Sequence, residues 1–252
     1  MAGQIVNDQN FYDIANAIRR INGESTLYRP QDMANVILDL PDVYNITPEM
    51  LSVMNKTITT LDDSTNREIK NVRGDAFLSC SALTTVKLPA CTTIETDAFR
   101  SCTSLTTVNL PVCTSIGITA FRSCTSLTTV NLPVCTSIGA MSFDSCTSLT
   151  TVNLPACTFI TIFAFSGCTS LTTVNLPACT EITSGAFSGC TSLTSITLSS
   201  STVCKLSFED AFEDTPIASG NGYIYVPANL VDTYKAASRW STYANQIVAI
   251  PS

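Results

Sequence analysis

A pattern of apolar and polar positions repeats every 22 residues through the middle of the chain. Each unit begins with a leucine and reads close to LTTVNLPxCTxIxxxAFxxC, and six units begin at Leu83, Leu105, Leu127, Leu149, Leu171 and Leu193. Self-similarity at this period is typical of a solenoid, in which each coil buries its apolar side chains by stacking on its neighbours. The pattern therefore predicts the fold class of the chain.

The second unit illustrates the elements expected in every coil. Val108 and Leu110 alternate with Thr107 and Asn109, which predicts a short strand with its polar residues facing outward. Pro111 lacks an N–H group and holds the residue before it extended, so we expect the strand to end there. An isoleucine and an Ala-Phe pair follow in nearly every unit, which predicts an isoleucine column and a phenylalanine column in the core.

The cysteines follow the same repeat. Eleven of the 12 cysteines are spaced 11 residues apart, from Cys80 to Cys190, and therefore form two columns per coil. Stacked side chains point in the same direction rather than at each other, so we interpret them as small buried thiols rather than disulfides. The chain has no CxxC motif and no histidine, which excludes the usual zinc-finger spacings.

The run LPxCTxIxxxAFxxCTSLTTV resembles the BspA-type leucine-rich repeat, over roughly residues 57–226. This resemblance implies a parallel β-sheet on the concave face, and it places Cys113 where a buried polar group bonds the backbone of the turn. The family unit is about one residue longer between LP and AF, so the shape of the convex turn does not carry over. Because the family serves adhesion, surface display and partner binding, the resemblance implies binding without naming a partner.

The two ends of the chain differ from the repeat block, which we place at residues 65–215. The pattern of residues 216–252 predicts a C-terminal cap, in which Tyr223–Pro227 is the last strand and a helix with buried aromatic residues follows it.

At the other end of the chain, the apolar spacing of residues 1–41 predicts a helical hairpin for docking or oligomerisation. The hairpin resembles one found in tail and baseplate-associated proteins of phages of Gram-positive bacteria; the alternative is a simple N-terminal cap. Residues 42–64 predict a connector and a degenerate first repeat.

Charge and residue content narrow the possible functions. The net charge is −7 without a basic cluster, so we expect no nucleic-acid partner. No apolar run reaches the roughly 18–20 residues of a membrane span, and no secretory signal pattern is visible, so we expect synthesis in the cytoplasm and no membrane partner. Without histidine, a Gly-rich phosphate loop or suitably placed carboxylate pairs, we expect no enzyme, no cofactor and no metal site.

Two surfaces are candidates for partner binding. The predicted concave face carries regular hydroxyl and amide columns, which suit sugar hydroxyls; such columns also bond each other as structural ladders, the interpretation that we favour. Its candidate residues are Thr107, Asn109, Thr129, Asn131, Thr151, Asn153, Thr173 and Asn175. The second surface lies where the repeats differ from one another, and its candidate residues are Ile118, Met141, Phe159, Ile162 and Phe163. Apolar side chains at variable positions indicate a contact surface.

The leading hypothesis is a phage virion component. In it, residues 1–41 dock on other virion proteins within a homo-oligomer or larger assembly, and the solenoid binds a host cell-surface protein, a glycan or another partner. The first alternative is a BspA-type adhesin at the bacterial cell surface. The second is a purely structural spacer in the virion.

Overall fold

The computed structural model describes residues 58–62 and 69–251, which form a solenoid of short parallel strands. Paired strands in the central repeats are 22 residues apart, as for Thr107 and Thr129. The predicted parallel-strand repeat solenoid is therefore confirmed. The hairpin predicted for residues 1–41 lies outside the described residues, as does most of the predicted connector.

The first stack of strands follows the Thr-Val-Asn segments of the repeat. Strands are numbered along the chain, and this stack contains β1 (Thr60–Asp62), β3 (Thr85–Lys87), β5 (Thr107–Asn109), β7 (Thr129–Asn131), β9 (Thr151–Asn153), β11 (Thr173–Asn175), β13 (Ser195–Thr197), β15 (Tyr223–Val226) and β16 (Ile247–Ala249). Hydrogen bonds join β1-β3-β5-β7 into one sheet and β9-β11-β13-β15-β16 into another. No strand pairing links β7 to β9 in this part of the chain.

A second sheet runs along another side of the coils and was not predicted. It contains β2 (Asn71–Val72), β4 (Thr93–Ile94), β6 (Ser115–Ile116), β8 (Ser137–Ile138), β10 (Phe159–Ile160), β12 (Glu181–Ile182) and β14 (Lys205–Leu206). Each strand has two residues, one of them the buried residue of the isoleucine column. Two residues are too few for an alternating pattern, because strand periodicity is recognisable only over four or more.

The predicted strand in each unit ends where the proline requires it. Val108 is fully buried in β5 between two less buried polar residues, as the alternation predicts. The N–H of Leu110 still donates to the carbonyl of Asn131, at 3.1 Å. Pro111 follows without a donor, so the ladder cannot continue.

The phenylalanine column runs through the core as a continuous stack of rings. Seven rings stack with centroids 5.1 to 5.7 Å apart and interplanar angles of at most 7°: Phe77, Phe99, Phe121, Phe143, Phe165, Phe187 and Phe212. All are essentially buried. The column that the sequence predicts is confirmed, and it connects the coils from one end of the described solenoid to the other.

All 12 cysteines are free and buried, in agreement with the interpretation of the sequence. In one column the thiol donates within its own turn, as from Cys113 Sγ to the carbonyl of Ser115, at 3.3 Å. In the other it donates to the neighbouring coil, as from Cys124 Sγ to the carbonyl of Phe99, at 3.1 Å. The second column therefore links coils, a role that the spacing alone did not indicate.

Ser142 is the exception in the core, and its replacement yields a testable prediction. It occupies the column held by Ala120 and Ala164, is fully buried, and its hydroxyl has no hydrogen-bond partner. A buried unpaired hydroxyl costs roughly 1–2 kcal/mol. We expect Ser142→Ala to raise the free energy of unfolding by about this amount, measured by urea denaturation.

The matched control is Ala120→Ser, which introduces the same unpaired group one coil away. We expect it to lower the free energy of unfolding by a similar amount. A Ser142→Ala protein with unchanged or lower stability would show that the hydroxyl has a bonding partner in solution.

The C-terminal cap covers the last coil with aromatic residues. A 3₁₀ turn at Glu209–Phe212 ends that coil; after β15 come a 3₁₀ turn at Ala228–Leu230, helix α1 (Val231–Ala236) and a 3₁₀ turn at Trp240–Tyr243. The backbone N–H of Cys204 donates to the Tyr234 hydroxyl at 2.8 Å, and Trp240 Nε1 donates to the Cys204 carbonyl at 2.6 Å. The aromatic residues are buried, as predicted. The chain then returns as β16 to pair with β15, a strand that was not predicted.

Candidate functional site

The variable apolar residues lie on the second sheet and on the turn that follows it. Phe159 belongs to β10, and Ile162 and Phe163 follow directly. Ile118 and Met141 occupy the corresponding turns of two preceding coils. Among these five residues, the exposed fraction of the side chain is 50% for Ile118, 43% for Ile162, 39% for Phe159 and 36% for Phe163, whereas Met141 is half-buried. The structure thus places four of the five predicted residues at the surface.

Ile118 and Ile162 belong to one column that also contains a residue the sequence analysis missed. Backbone bonds at 2.9 to 3.0 Å connect this turn from coil to coil, from Thr119 to Ala140 and from Met141 to Ile162. The column continues to Ser184 and then to Phe208, which is 53% exposed. Phe208 was missed because the insertion before Cys204 shifts the repeat; the pairing of Leu206 with Ile182 restores the register.

Large and small side chains alternate along this column. Ile118, Ile162 and Phe208 are separated by Ala140 and Ser184, so the large side chains recur every second coil. With about 4.8 Å per rung, they lie about 10 Å apart. We call Ile118, Phe159, Ile162, Phe163 and Phe208 the apolar ridge.

Phe163 packs against the backbone of the next coil. Its ring lies directly over Gly185 of the next coil, where any Cβ would collide with the ring. Gly185 has a φ of +58° and occupies the position that Phe163 itself holds at +53°. Met141 and Thr119 hold the same left-handed backbone at this position, so glycine is needed at 185 for the space that the Phe163 ring fills.

One flank of the apolar ridge is charged. Glu181 pairs in register with Phe159, and its carboxylate accepts a hydrogen bond from Lys205 Nζ at 2.8 Å and another from the Ser207 hydroxyl. These two bonds lower the pKa of Glu181, with Lys205 as the larger cause. An apolar surface with a polar rim is the usual anatomy of a protein-binding site.

The predicted Thr/Asn residues line the first stack and are exposed or half-buried. Asn131 Nδ2 donates to Asn109 Oδ1 at 2.6 Å, and Asn175 Nδ2 donates to Asn153 Oδ1 at 2.9 Å. The asparagines thus form two structural pairs. Within the described chain, the hydroxyls of the threonine column make no hydrogen bond to protein; these are Thr107, Thr129, Thr151 and Thr173. The amide column therefore fits the interpretation as a structural ladder. The hydroxyl column fits the interpretation as a binding surface.

Neither a metal cluster nor a membrane span occurs in the described part of the chain. Residues 58–62 and 69–251 contain no group of three or more Cys, Asp or Glu side chains placed to hold a metal ion. Their helices are all too short or too polar to cross a bilayer.

The repeat matches a known family. The model of the BspA-type leucine-rich repeat region (6 copies) matches residues 53–160 and 114–232, which together exceed half of the chain. The chain belongs to the BspA-type leucine-rich repeat family. Solenoids of this family are typically non-enzymatic binding scaffolds, and leucine-rich repeat proteins generally mediate protein–protein interactions. No curated protein matches the chain significantly in sequence.

Several solved leucine-rich repeat structures are similar to this BspA-type chain. A leucine-rich repeat protein from T. pallidum is 32% identical with a TM-score of 0.49, over 52% of this chain and 66% of that one. A leucine-rich repeat protein from Bacteroides ovatus is 17% identical with a TM-score of 0.39, over 68% and 56%. An internalin from Listeria monocytogenes is 16% identical with a TM-score of 0.44, over 85% and 55%. This chain thus spans 55% to 66% of their lengths, and the family match rather than these structures supports the assignment.

Proposed function

We propose that this BspA-type protein is a non-enzymatic scaffold that binds a protein partner through the apolar ridge. The observation that supports the proposal is the exposure of Ile118, Phe159, Ile162, Phe163 and Phe208 on one side of the solenoid. Leaving such a side chain in water costs roughly 1.5–3 kcal/mol relative to burial. A clustered apolar surface of this kind marks a contact site.

The shape of the apolar ridge suggests how a partner would fit. Ala140 and Ser184 leave shallow depressions between the large side chains of the column, so a complementary surface would insert its own apolar groups there. Phe163 is already held against Gly185. Because this ring is ordered before binding, little conformational entropy is lost when a partner covers it.

We expect the triple variant I118S/I162S/F208S to lose partner binding while keeping the thermal stability of the parent. Each truncation removes an exposed contact worth roughly 1.5 kcal/mol or more, so the Kd should rise at least tenfold per side chain. The measurement captures partners from extracts of the producing cells on immobilised protein. The captured protein is then purified, and its Kd is determined by calorimetry.

The matched control is V112S/V134S, which removes two exposed valines outside the apolar ridge, 41% and 42% accessible. We expect this control to bind like the parent. Equal binding by parent and triple variant, with the control also unchanged, would contradict the apolar ridge as the contact site.

We infer that the biological setting is a phage virion, with residues 1–41 attached to other virion proteins and the solenoid facing the host or a partner. The resemblance of those residues to tail and baseplate-associated proteins supports this setting. A bacterial surface adhesin is the second candidate, because membership of the BspA-type family is compatible with it. Mass spectrometry distinguishes the two: the chain is expected in purified particles, and its presence only in the cell-surface fraction would favour the adhesin.

A further inference from the structure

The first stack of strands is interrupted at one place. The sheet β1-β3-β5-β7 ends at β7, and the sheet β9-β11-β13-β15-β16 begins at β9, the next strand in the stack. We call the interval between Thr129–Asn131 and Thr151–Asn153 the split. It lies on a different sheet from the apolar ridge.

Backbone groups on both sides of the split lack the partners that their equivalents have. Thr128 N donates to Thr106 O at 3.0 Å and Thr172 N donates to Thr150 O at 2.9 Å, but Thr150 N makes no such bond in the described chain. Leu110 N and Leu154 N each donate to the next coil at 3.1 Å, whereas Leu132 N does not. The split therefore presents unpaired amides together with the carbonyls that they would normally bond.

Side-chain hydrogen bonds between coils are also interrupted at the split. Thr128 Oγ1 donates to Thr106 O and Thr172 Oγ1 to Thr150 O, both at 3.1 Å, while the Thr150 hydroxyl has no partner among the described residues. Asn131 and Asn153 each bond an outer neighbour but not each other. Asn131 Oδ1 and Asn153 Nδ2 therefore remain as an acceptor and a donor on opposite sides of the split.

The coils stay together on the aromatic side, so the split is a wedge. Phe143 and Phe165 stack at 5.3 Å, the same distance as the pair before them, and Met141 N donates to Ile162 O at 3.0 Å. At the opening, Val130 is only partly buried and Val152 is 7% exposed, whereas Val108 is fully buried. An apolar strip thus lies between the two polar sides.

The chemistry of the split fits a neutral sugar. A sugar hydroxyl can accept from an N–H and donate to a carbonyl at once, which satisfies both sides of the wedge. Val130 and Val152 offer an apolar surface to the C–H groups of a sugar ring, and no charged residue lies in β7 or β9. A peptide strand would need about 9.6 Å between coils, twice the rung spacing, while the aromatic side holds them one rung apart.

We propose that the split is a binding site for neutral carbohydrate. The site is independent of the proposed protein contact, because it uses the other sheet and none of the residues of the apolar ridge. Its ligand is an oligosaccharide whose neighbouring hydroxyls bridge the third and fourth repeats.

An array of neutral oligosaccharides, probed with the full chain and followed by calorimetry on the sugars that bind, tests the proposal. We expect T150V/T151V to weaken binding at least tenfold without lowering the melting temperature, because neither hydroxyl bonds protein in the described structure. The matched control T107V/T173V removes two threonine hydroxyls that likewise bond no protein in the described structure but lie in the intact parts of the two sheets, and it should bind sugar like the parent. Binding of no neutral sugar by the parent, or equal binding by T150V/T151V, overturns the proposal.

Amide hydrogen exchange tests the split itself. The amides of Leu132 and Thr150 are expected to exchange at least tenfold faster than those of Leu154 and Thr172, and a bound sugar should slow them. Equal protection of the two pairs in the free protein overturns the proposal because the sheet would then be continuous. If these amides exchange faster but are slowed only by an extended peptide and by no sugar, the carbohydrate proposal is also overturned.

Discussion

Four buried thiols are expected to lower the free energy of unfolding of this protein by about 5 kcal/mol when the pH is raised from 8 to 10. Burial raises the pKa of Cys113, Cys124 and Cys135 to about 12 and that of Cys157 to about 11, from an ordinary value of 9.0. At pH 10 the unfolded chain has lost most of these thiol protons, whereas the folded chain retains them. Each thiol then contributes about 1.4 kcal/mol to unfolding.

The direction of the effect follows from proton binding. Between pH 9 and about 12 the folded state binds more protons than the unfolded state at these thiols, so stability falls as the pH rises. Below about pH 8, well under the ordinary thiol pKa of 9.0, the thiols are protonated in both states, and their contribution is constant. Burial also raises the pKa of the Tyr234 hydroxyl to about 12, which adds a loss of the same sign.

Urea denaturation at pH 8, 9 and 10 measures the effect. In the double variant C113A/C135A, the loss between pH 8 and pH 10 is expected to shrink by about 3 kcal/mol, whatever the absolute stability of the variant. A thiol reagent should react with close to all 12 cysteines in denaturant and with almost none in the native protein. A pH dependence unchanged by the double substitution would mean that the thiols are not the groups that titrate.

The second large effect is expected from the aromatic column. Phe121→Ala should lower the free energy of unfolding by about 4 kcal/mol, the usual range for removing a buried phenylalanine being roughly 3–5 kcal/mol. Phe121 is fully buried between Phe99 and Phe143, at ring distances of 5.2 and 5.3 Å. Its loss leaves a cavity between two coils that the stack cannot close without moving both neighbours.

Phe208→Ala is the matched control, because Phe208 is the same residue type with 53% of its surface exposed. We expect a change within about 0.5 kcal/mol for this variant in the same urea experiment. Similar losses in the two variants would place Phe208 in the core and remove it from the apolar ridge. A loss below about 1 kcal/mol for Phe121→Ala would show that the stack relaxes around the gap.

These two phenylalanines show how the repeat separates stability from binding. Residues in the Phe and Cys columns recur in nearly every coil because each must fit the coil before and after it. The exposed column from Ile118 to Phe208 is not packed between coils in this way, so Ile118, Ala140, Ile162 and Ser184 differ while the backbone of the turn stays the same. The face that varies is therefore free to be adapted to a partner.

The repeat pattern alone predicted the solenoid, the phenylalanine column, the buried thiols and the place where the Thr-Val-Asn strands of the central repeats end. These features recur in nearly every coil, and a side chain repeated at one position in stacked coils must contact its own counterparts. The prolines add a local constraint that acts within two residues. The aromatic tail was likewise predictable as core, because Tyr234 and Trp240 could only be accommodated against the open end of the stack.

Only the tertiary structure revealed the second sheet, strand β16, Phe208 and the split. The second sheet has two-residue strands whose pairing comes from neighbouring coils rather than from their own sequence, and β16 forms because the edge of β15 is available to pair. Phe208 belongs to the apolar ridge because Leu206 pairs with Ile182. The insertion before Cys204 makes this register hard to recognise in the sequence. The split separates β7 from β9 although both read Thr-Val-Asn, because hydrogen bonds between coils depend on the spacing of whole coils and not on the residues within a strand.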